Sequence, residues 1–577
     1  MAPLEYPSNE TIGRPPSSLC PRDGGLKVMF PGGTWVEYYP GSSRSFSYQI
    51  LLPEFWAFFW VSLVSVWISV WGPQYWKLIK PIFVLIVKIY KLLQIRVGTT
   101  NRSQVASEDE DAEEDAEEEN GEKKNLNDLR DALYDGRTAE DTVIEILRLF
   151  KSIRHFNLAM AILSLLGLLF CAATFIAISI AAAMTSLITL GNNALSTSPL
   201  CGVWLPNDTV SIAQPMGQIM SQVEDIYRGC YEQDSQQDCN LFPYTDLFVN
   251  FTDNVDCPFL GDVCLGGEKS GISRDTGYLD SIYLGLNSPS RPLYRRMTTC
   301  APLETTGYST TTTDPTTNFT NIEFQYGPNA ETGEPSTYNI LRSFASELLF
   351  SPTGYDVKTV SSSLGEFTPI AELTSRNGDP REYTFLMFVN TYGVHYPNIS
   401  NDPIFPATTQ TLCPNSTQTC WSDTILPSSV LGCTELAEVC YPDSDHCFDA
   451  FAPNVLDNML SAGWPGPGTQ ETYLAMLGLR YSDFGNLLST RHGLLLNATQ
   501  QIVGNRLSQA LDPYQWKLEV KRLFDMGLLR AKMEMLAVVR GNRANQVGYN
   551  NVLPADHRGL CQKIKFQVNG YVNDNYW

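Results

Sequence analysis

The sequence predicts an α+β membrane protein that has two transmembrane helices and a large, disulfide-containing mixed outer domain. The first observation is an apolar run, residues 158–190, which contains no Asp, Glu, Lys, Arg or His and exceeds the roughly 20 residues that a spanning helix needs. A shorter apolar run extends from Leu51 to Trp71. Twelve of the fourteen cysteines follow residue 190, and none lies between the two runs. We therefore expect an oxidising compartment on the far side of the second run.

The charge and apolar patterns divide the chain into seven segments. In chain order they are 1–48, a disordered outer N-terminal tail; 49–72, transmembrane helix 1; 73–98, an interfacial basic amphipathic helix; 99–136, a disordered acidic cytosolic linker; 137–157, a cytosolic helix; 158–190, transmembrane helix 2; and 191–577, an extracellular or lumenal α+β domain.

The segments between the two apolar runs are defined by their charges. Lys77, Lys80, Lys88 and Lys91 fall near one helical face, which is typical of a helix that lies in the membrane interface. The alternative is a third span over residues 78–95, which would invert the topology of everything that follows. Residues 108–122 carry eleven carboxylates in fifteen positions, and such a block repels itself and does not bury a core.

Basic residues near the membrane ends predict the orientation. Arg148, Lys151 and Arg154 come just before the second run, whereas the next basic residue after it is Arg228. The positive-inside rule therefore places the middle segment in the cytosol, and the N-terminus and the large C-terminal domain outside. The predicted location is the plasma membrane or an endomembrane, with membrane lipids as partners.

The outer region contains candidate disulfide and glycosylation residues. An even number of cysteines favours a disulfide framework whose pairing the sequence leaves open. The disulfide candidates are Cys201, Cys230, Cys239, Cys257, Cys264, Cys300, Cys413, Cys420, Cys433, Cys440, Cys447 and Cys561. The N-glycosylation candidates are Asn9, Asn207, Asn250, Asn318, Asn398, Asn415 and Asn497, each of which heads an Asn-x-Ser/Thr triplet.

Local patterns predict several elements of the outer domain. Residues 382–389 read as a buried strand, residues 336–350 as a short helix, and the Thr-rich stretch 305–320 as an exposed loop. Asp512-Pro513 is a helix start, and the helix is expected to run to Gly541. Because this helix is basic and the region before it is acidic, it either packs on that region or faces anionic headgroups.

Four stretches of the C-terminal region carry a family resemblance. They are SSVLGCTELAEVCYPDSDHC (428–447), DPIFPAT (402–408), WKLEVKRLF (516–524) and LCQKIKFQVNGYVN (560–573). Together they resemble uncharacterised fungal membrane-anchored proteins with a cysteine-containing outer domain. The resemblance covers about the last 200 residues and implies structural motifs rather than catalytic residues. It also implies a further membrane helix after the last cysteine-containing segment.

The sequence does not predict a catalytic site, a cofactor or a metal site. It contains no Gly-x-Ser-x-Gly elbow and no His-Glu-x-x-His pair. His395, His446, His492 and His557 are therefore interpreted as structural or surface residues. The cluster Asp443, Asp445, His446 and Cys447 lacks a second ligand pair. A carboxylate pair for glycoside hydrolysis is defined in space, so the sequence leaves that possibility open.

These observations favour recognition over catalysis. The formal net charge of −22 argues against nucleic acid as a partner, since phosphate binding needs clustered basic residues. We predict an integral membrane protein with a glycosylated, disulfide-stabilised outer domain that serves recognition, adhesion or surface organisation, with an extracellular glycan or protein as ligand. The alternative is a membrane-tethered extracellular hydrolase that acts on glycans or peptides.

Overall fold

The computed structural model describes part of the chain in two compact units. The units are Met1–Tyr48 with Asn193–Asn569, and Gln49–Asn192 with Gly570–Trp577. The described residues are 34–40, 46–53, 55–56, 59, 62–63, 81, 85, 89, 144, 192–196, 201–206, 213–232, 241–267, 269–313, 315–316, 319–330, 332–343, 354–391, 393–414, 416–423, 428–441, 446–452, 469–489, 492–504, 506–540, 549–551, 555–567 and 571–576.

Strands dominate the described residues, and they are numbered in chain order. They are β1 Thr34–Tyr38, β2 Phe46–Pro53, β3 Asn193–Leu195, β4 Trp204–Pro206, β5 Asn250–Val255, β6 Gly271–Asp275, β7 Leu279–Asp280, β8 Leu293–Leu303, β9 Ser309–Thr313, β10 Phe319–Phe324, β11 Tyr338–Ser343, β12 Asp356–Ser361, β13 Tyr383–Asn390, β14 Ser400–Asn401, β15 Pro406–Ala407, β16 Thr409–Leu412, β17 Thr419–Ser422, β18 Ser429–Cys440, β19 Cys447–Asp449, β20 Ile502–Gly504, β21 Leu507–Ser508, β22 Tyr549–Asn551, β23 Lys565–Gln567 and β24 Tyr571–Tyr576.

The helices are fewer and mostly short. The α-helices are α1 Ala213–Tyr227, α2 Thr469–Leu479, α3 Phe484–Ser489, α4 Asn497–Gln500 and α5 Gln515–Arg540. A π-turn, Arg228–Glu232, extends α1, and 3₁₀ turns occur at Ser281–Leu284, Ala371–Leu373, His492–Leu495 and Ala555–Lys563.

One antiparallel sheet forms the centre of the first unit. Its strand order is β12-β13-β18-β8-β6-β5, with β19 paired to β18 and β7 to β8. The two central strands, β8 and β18, pair from Val430 with Leu303 to Cys440 with Leu293. Every residue of β18 is buried, because protein covers both faces of the sheet at this strand.

An apolar core fills one face of this sheet. Leu386, Phe388, Val430 and Leu303 contribute from the strands and pack with Phe259. Gly432 permits this approach, because a Cβ atom there would lie 2.6 Å from Cδ1 of Leu303. Burial of each large apolar side chain contributes about 2 kcal/mol.

A second sheet, with strand order β11-β10-β9, closes this core. The rings of Phe324 and Tyr338 each lie 5.0 Å from the ring of Phe388, measured between centroids. The strand β11 replaces the short helix predicted for residues 336–350 over residues 338–343, where that prediction is wrong; residues 344–350 lie outside the described ranges. Tyr338 has a position in the core only if the chain is extended there and pairs with β10.

Helix α5 covers the opposite face of the main sheet and packs against α1 and α2. Its predicted start is confirmed, since Oδ1 of Asp512 accepts a hydrogen bond from the backbone N–H of Tyr514 at 2.8 Å. Gly527 lets the helix approach the sheet, because a Cβ atom there would lie 2.4 Å from Nη1 of Arg296. The sequence allowed α5 either to pack on the protein or to face anionic headgroups, and the structure shows that it packs on the protein.

One other local prediction is confirmed, and one is confirmed only in part. The buried strand expected at 382–389 is β13, Tyr383–Asn390, whose central six residues are buried. The Thr-rich stretch is exposed in its described part, where β9 carries four consecutive exposed residues, but it forms strands and not the predicted loop, since β9 pairs with β10.

The end of the N-terminal segment belongs to the large domain. The backbone of β1 is hydrogen-bonded by the side chain of Asn287, which accepts from the N–H of Tyr38 at 2.9 Å and donates to the carbonyl of Val36 at 2.7 Å. Lys565 donates to the buried Glu37 at 2.9 Å. The predicted disorder of residues 1–48 therefore does not hold for β1, because buried backbone and charge need fixed partners.

Five disulfides between described residues pair ten of the twelve candidate cysteines. They are Cys201–Cys561, Cys257–Cys264, Cys300–Cys433, Cys413–Cys420 and Cys440–Cys447. Cys230 is also disulfide-bonded, and Cys239 lies outside the described residues.

The position of Cys433 in β18 explains why its pairing was not readable from spacing. Cys433 and Cys440 share the seven-residue separation of the local disulfides, but they lie in the same extended strand, roughly 23 Å apart at 3.3 Å per residue. Cys433 instead lies directly opposite Cys300 on β8 and bonds to it.

The predicted fold class, α+β with two transmembrane helices, is wrong. The described residues form mainly strands, because the C-terminal region is built on cross-strand pairing. None of the helices in the described ranges combines the length and the apolar character that crossing a membrane requires.

Most of the segments before residue 191 cannot be compared with the structure. The predicted helix at 158–190 lies outside the described residues, and so do 99–136 and nearly all of 73–98 and 137–157. Of the predicted span 49–72, the first residues belong to strand β2.

We expect Lys565→Met to lower the free energy of unfolding by about 3 to 5 kcal/mol, because it leaves the Glu37 carboxylate buried without its cation. Chemical denaturation of the full chain measures this change. Lys517→Met is the matched control, since Lys517 and Asp253 form a more exposed ion pair whose loss costs at most about 1 kcal/mol. Equal losses of unfolding free energy in the two variants would contradict the interpretation of Lys565 and Glu37 as a buried, stabilising ion pair.

Candidate functional site

Charged side chains occupy the layer between the main sheet and α5. Arg296 of β8 and Glu435 of β18 are fully buried and form an ion pair, with Nη2 of Arg296 3.3 Å from Oε1 of Glu435. The guanidinium group also donates to the carbonyl of Phe524 in α5 at 2.9 Å. Both oxygens of Glu435 accept from the backbone N–H of Phe484 at 3.2 Å. We call Arg296, Glu435 and the neighbouring Asp483 the buried ionic centre.

Burial shifts the pKa values of both acids in this centre. Desolvation raises the pKa of Glu435 to about 8, and the nearby Arg296 opposes this shift. Desolvation also raises the pKa of Asp483, while hydrogen bonds from Asn486 at 2.9 and 2.5 Å lower it. Perturbed carboxylic acids of this kind occur in catalytic sites, but also in structural ion-pair networks.

Two small cavities lie around α5. One of about 20 Å³ lies between α2 and α5 beside Gly202 and Glu534, and one of about 10 Å³ lies beside Lys532 and Lys565. Such volumes hold a single water molecule. Glu435 and Asp483 line neither of these two cavities, and the contacts of the buried ionic centre connect the sheet to α5.

A second pair of buried acids holds helix N-termini. Asp402 accepts a hydrogen bond from the N–H of Trp516 in α5 at 3.0 Å. Glu519 accepts from the N–H groups of Asn497 and Ala498, at the start of α4, at 2.7 and 2.8 Å. Desolvation raises the pKa of Glu519 to about 7, and the Asp402 carboxylate contributes to this rise. These carboxylates stabilise the first turns of two helices.

The solvent-facing polar cluster lies on the other face of the main sheet. Tyr278 is 52% exposed, and its hydroxyl group donates to Oε1 of Glu438 at 2.6 Å. Oε2 of Glu438 accepts from Nη1 of Arg381 at 2.6 Å. The hydrogen bond to Glu438 raises the pKa of Tyr278, so its hydroxyl group stays a donor.

Two bidentate ion pairs flank the tyrosine. Arg295 donates from Nε and Nη2 to the two oxygens of Asp275 at 3.0 and 2.6 Å. Arg381 makes the same contacts with Asp379 at 3.0 and 2.7 Å. The Arg295 guanidinium carbon lies 5.4 Å from the centre of the Tyr278 ring. We call Tyr278, Glu438 and these two ion pairs the Tyr278 face, and it is the candidate functional site.

Beside this face, three side chains have the atom types of metal ligands, but two of them form a disulfide. Ligand atoms of Glu438, Cys440 and Cys447 all lie within 4.8 Å of one another. The two sulfur atoms are bonded to each other, and a metal ligand must be a thiolate. Of the residues Asp443, Asp445, His446 and Cys447, which the sequence did not favour as a metal site, the structure describes the exposed His446 and the disulfide-bonded Cys447; residues 442–445 lie outside the described ranges.

The histidines do not converge on a site among the described side chains. Nδ1 of His395 lies 3.2 Å from Oγ1 of Thr411, and burial lowers the pKa of its imidazole. The side chains of His492 and His557 lie outside the described residues.

The candidate glycosylation residues differ in their surroundings. Asn250 and Asn398 are exposed. Asn497 is half-buried, and its Oδ1 accepts a hydrogen bond from Gln515 at 3.2 Å. The remaining candidates, Asn9, Asn207, Asn318 and Asn415, lie outside the described residues.

Sequence reasoning did not find the Tyr278 face, because its members come from four distant parts of the chain. One signal was present in β8, where the adjacent Arg295 and Arg296 interrupt an apolar strand. Alternation along a strand sends such neighbours to opposite faces. Arg296 accordingly enters the buried ionic centre, and Arg295 enters the Tyr278 face.

Comparison with known proteins adds no relative: no family model, curated protein or solved structure matches this chain.

We expect the free energy of unfolding to fall by about 3 kcal/mol as the pH rises from 4.5 to 7 on account of Glu519, because its pKa rises from 4.5 to about 7 on folding. The folded state then holds a proton that the unfolded state releases, so stability is full below the lower pKa and is lost through the upper one. Urea denaturation across this pH range measures the slope.

The variant Glu519→Gln isolates this contribution, because it cannot ionise and should flatten that part of the slope. Glu334→Gln is the control, since Glu334 is exposed. An unchanged slope in Glu519→Gln would show that other groups carry the pH dependence.

Proposed function

We propose that the large domain is a recognition module of an oxidising compartment, extracellular or lumenal, and that its Tyr278 face binds a neutral glycan. Its cysteine chemistry supports the compartment, because five disulfides persist where thiols are oxidised. The N-terminal segment shares that compartment, since β1 is part of the same compact unit.

The observation that carries the proposal is the fixed, half-exposed ring of Tyr278. Its hydroxyl group is held by Glu438, which is only 1% exposed, while Arg381 beside it is 37% exposed. Tyrosine and arginine are enriched at recognition surfaces because they supply a rigid apolar area together with polar edges. A ring already fixed by hydrogen bonding loses little conformational entropy when a ligand binds.

The charge of the face favours a neutral ligand. Its two guanidinium groups face three carboxylates, those of Asp275, Asp379 and Glu438, so a phosphate or sulfate meets net negative charge. A sugar ring has an apolar C–H side that packs on an aromatic ring. Its neighbouring hydroxyl groups match the forked geometry of Arg and Asp side chains.

The experiment uses the full chain, produced in eukaryotic cells and purified in detergent, on an array of neutral oligosaccharides and polysaccharides. We expect binding to a subset of neutral glycans, and a loss of about tenfold or more in Tyr278→Ala, which removes a central aromatic contact. Tyr514→Ala is the matched control, because Tyr514 is 62% exposed but lies at the start of α5.

Two results would contradict the proposal. If wild type binds none of the neutral glycans, the proposed ligand class is wrong. If Tyr278→Ala and Tyr514→Ala lose equal glycan-binding affinity, the Tyr278 face is not the binding site. Release of new reducing ends from a bound glycan would instead support the hydrolase interpretation.

A further inference from the structure

Strand β5 forms one edge of the main sheet and is open to solvent. It pairs with β6 on one side, and no strand in the described parts of the chain pairs with its other side. Its first five residues, 250–254, are all exposed. Phe251, 49% exposed, adds an apolar ring. An edge of this kind offers free N–H and C=O groups to a second chain.

The opposite edge of the sheet is covered by protein. Helix α3 and the 3₁₀ turn His492–Leu495 pack on β12. The contact is close, because a Cβ atom at Gly485 would lie 2.9 Å from Cβ of Ser361. The chain therefore protects one edge with its own helices, and β5 needs another form of protection.

The second half of β5 has two features that hinder pairing. The register shifts between Asp253 and Val255, and Asn254 has a φ of 55°. Asp253 also forms an ion pair with Lys517 at 2.6 Å. Bulges and charges are common means of blocking an edge strand.

The first half of β5 has neither feature. Asn250, Phe251 and Thr252 pair regularly with Asp275, Arg274 and Ser273. This regular half coincides with the triplet Asn250-Phe251-Thr252, in which both the asparagine and the threonine are exposed.

We propose that Asn250 carries an N-linked glycan that shields this half of the edge and keeps copies of the chain from pairing through β5. The glycan is bulky and hydrated, whereas a pairing strand must come within about 4.8 Å. The inference rests on the compartment in the proposed function, because N-glycosylation requires entry into the secretory pathway.

The modification is a group transfer from a lipid-linked pyrophosphoryl oligosaccharide. The side-chain nitrogen of Asn250 forms a bond to C1 of the first sugar, and the bond from C1 to the pyrophosphate oxygen breaks. The pyrophosphate leaves with the electron pair, and a base of the transferase takes one amide proton.

Three substitutions at Thr252 separate the effect of the glycan from that of the side chain. Thr252→Ser keeps the glycosylation triplet and is the matched control. Thr252→Ala removes the triplet and leaves the edge uncharged. Thr252→Lys removes the triplet but places a charge on the edge, which should block pairing without a glycan.

Each full-length protein is produced in eukaryotic cells and purified in detergent, and glycopeptide mass spectrometry and size-exclusion chromatography with light scattering are applied. We expect wild type and Thr252→Ser to be modified at Asn250 and monomeric. Thr252→Ala should be unmodified there and show about a tenfold larger associated fraction, and Thr252→Lys should be unmodified and monomeric.

The outcomes distinguish this inference from the proposed function. An unmodified Asn250 beside a modified Asn398, a monomeric Thr252→Ala, or association of Thr252→Lys to the same extent as Thr252→Ala overturns the edge proposal alone. If the cysteines are reduced and no asparagine is modified, the proposed oxidising compartment is wrong, and the edge proposal fails with it.

Discussion

Arg296 lies between the central sheet and helix α5, and its guanidinium group binds both of them. It contacts Glu435 on the neighbouring strand and the carbonyl of Phe524 in the helix, and its charged carbon lies 4.5 Å from the centre of the Phe524 ring. Gly527 is needed for this approach. A buried charge without its partner costs several kcal/mol, so this contact fixes how the helix sits on the sheet.

The two faces of the sheet divide the polar groups by accessibility. Two of the acids whose pKa values rise through burial, Glu435 and Glu519, hold α3, α4 and α5 in place. On the other face, Tyr278 and Arg381 remain within reach of solvent. A chemical role for the first group would require an opening to solvent, whereas the second group is already presented to it. This difference favours surface recognition over catalysis.

Sequence patterns found the elements that depend on local interactions. The helix start at Asp512-Pro513 was readable because the Asp carboxylate and the Pro ring act within one turn. Strand β13 was readable from its continuous apolar run. Residues 338–343 were misread because Tyr338 is held by contacts with Phe388, which lies 50 residues away. The pairing of Cys433 with Cys300 was not readable from spacing for the same reason.

By itself, the sequence determined that the C-terminal region is disulfide-stabilised and that a long helix begins near Asp512, since both follow from residue type and short-range spacing. Only the tertiary structure decided that α5 buries Arg530 and Lys532, although their helix also carries exposed charges. It alone brought residues 275–278, 295, 379–381 and 438 to one face. The reason is physical: a sidechain's chemistry is encoded locally, but its exposure and partners depend on which distant strands lie beside it.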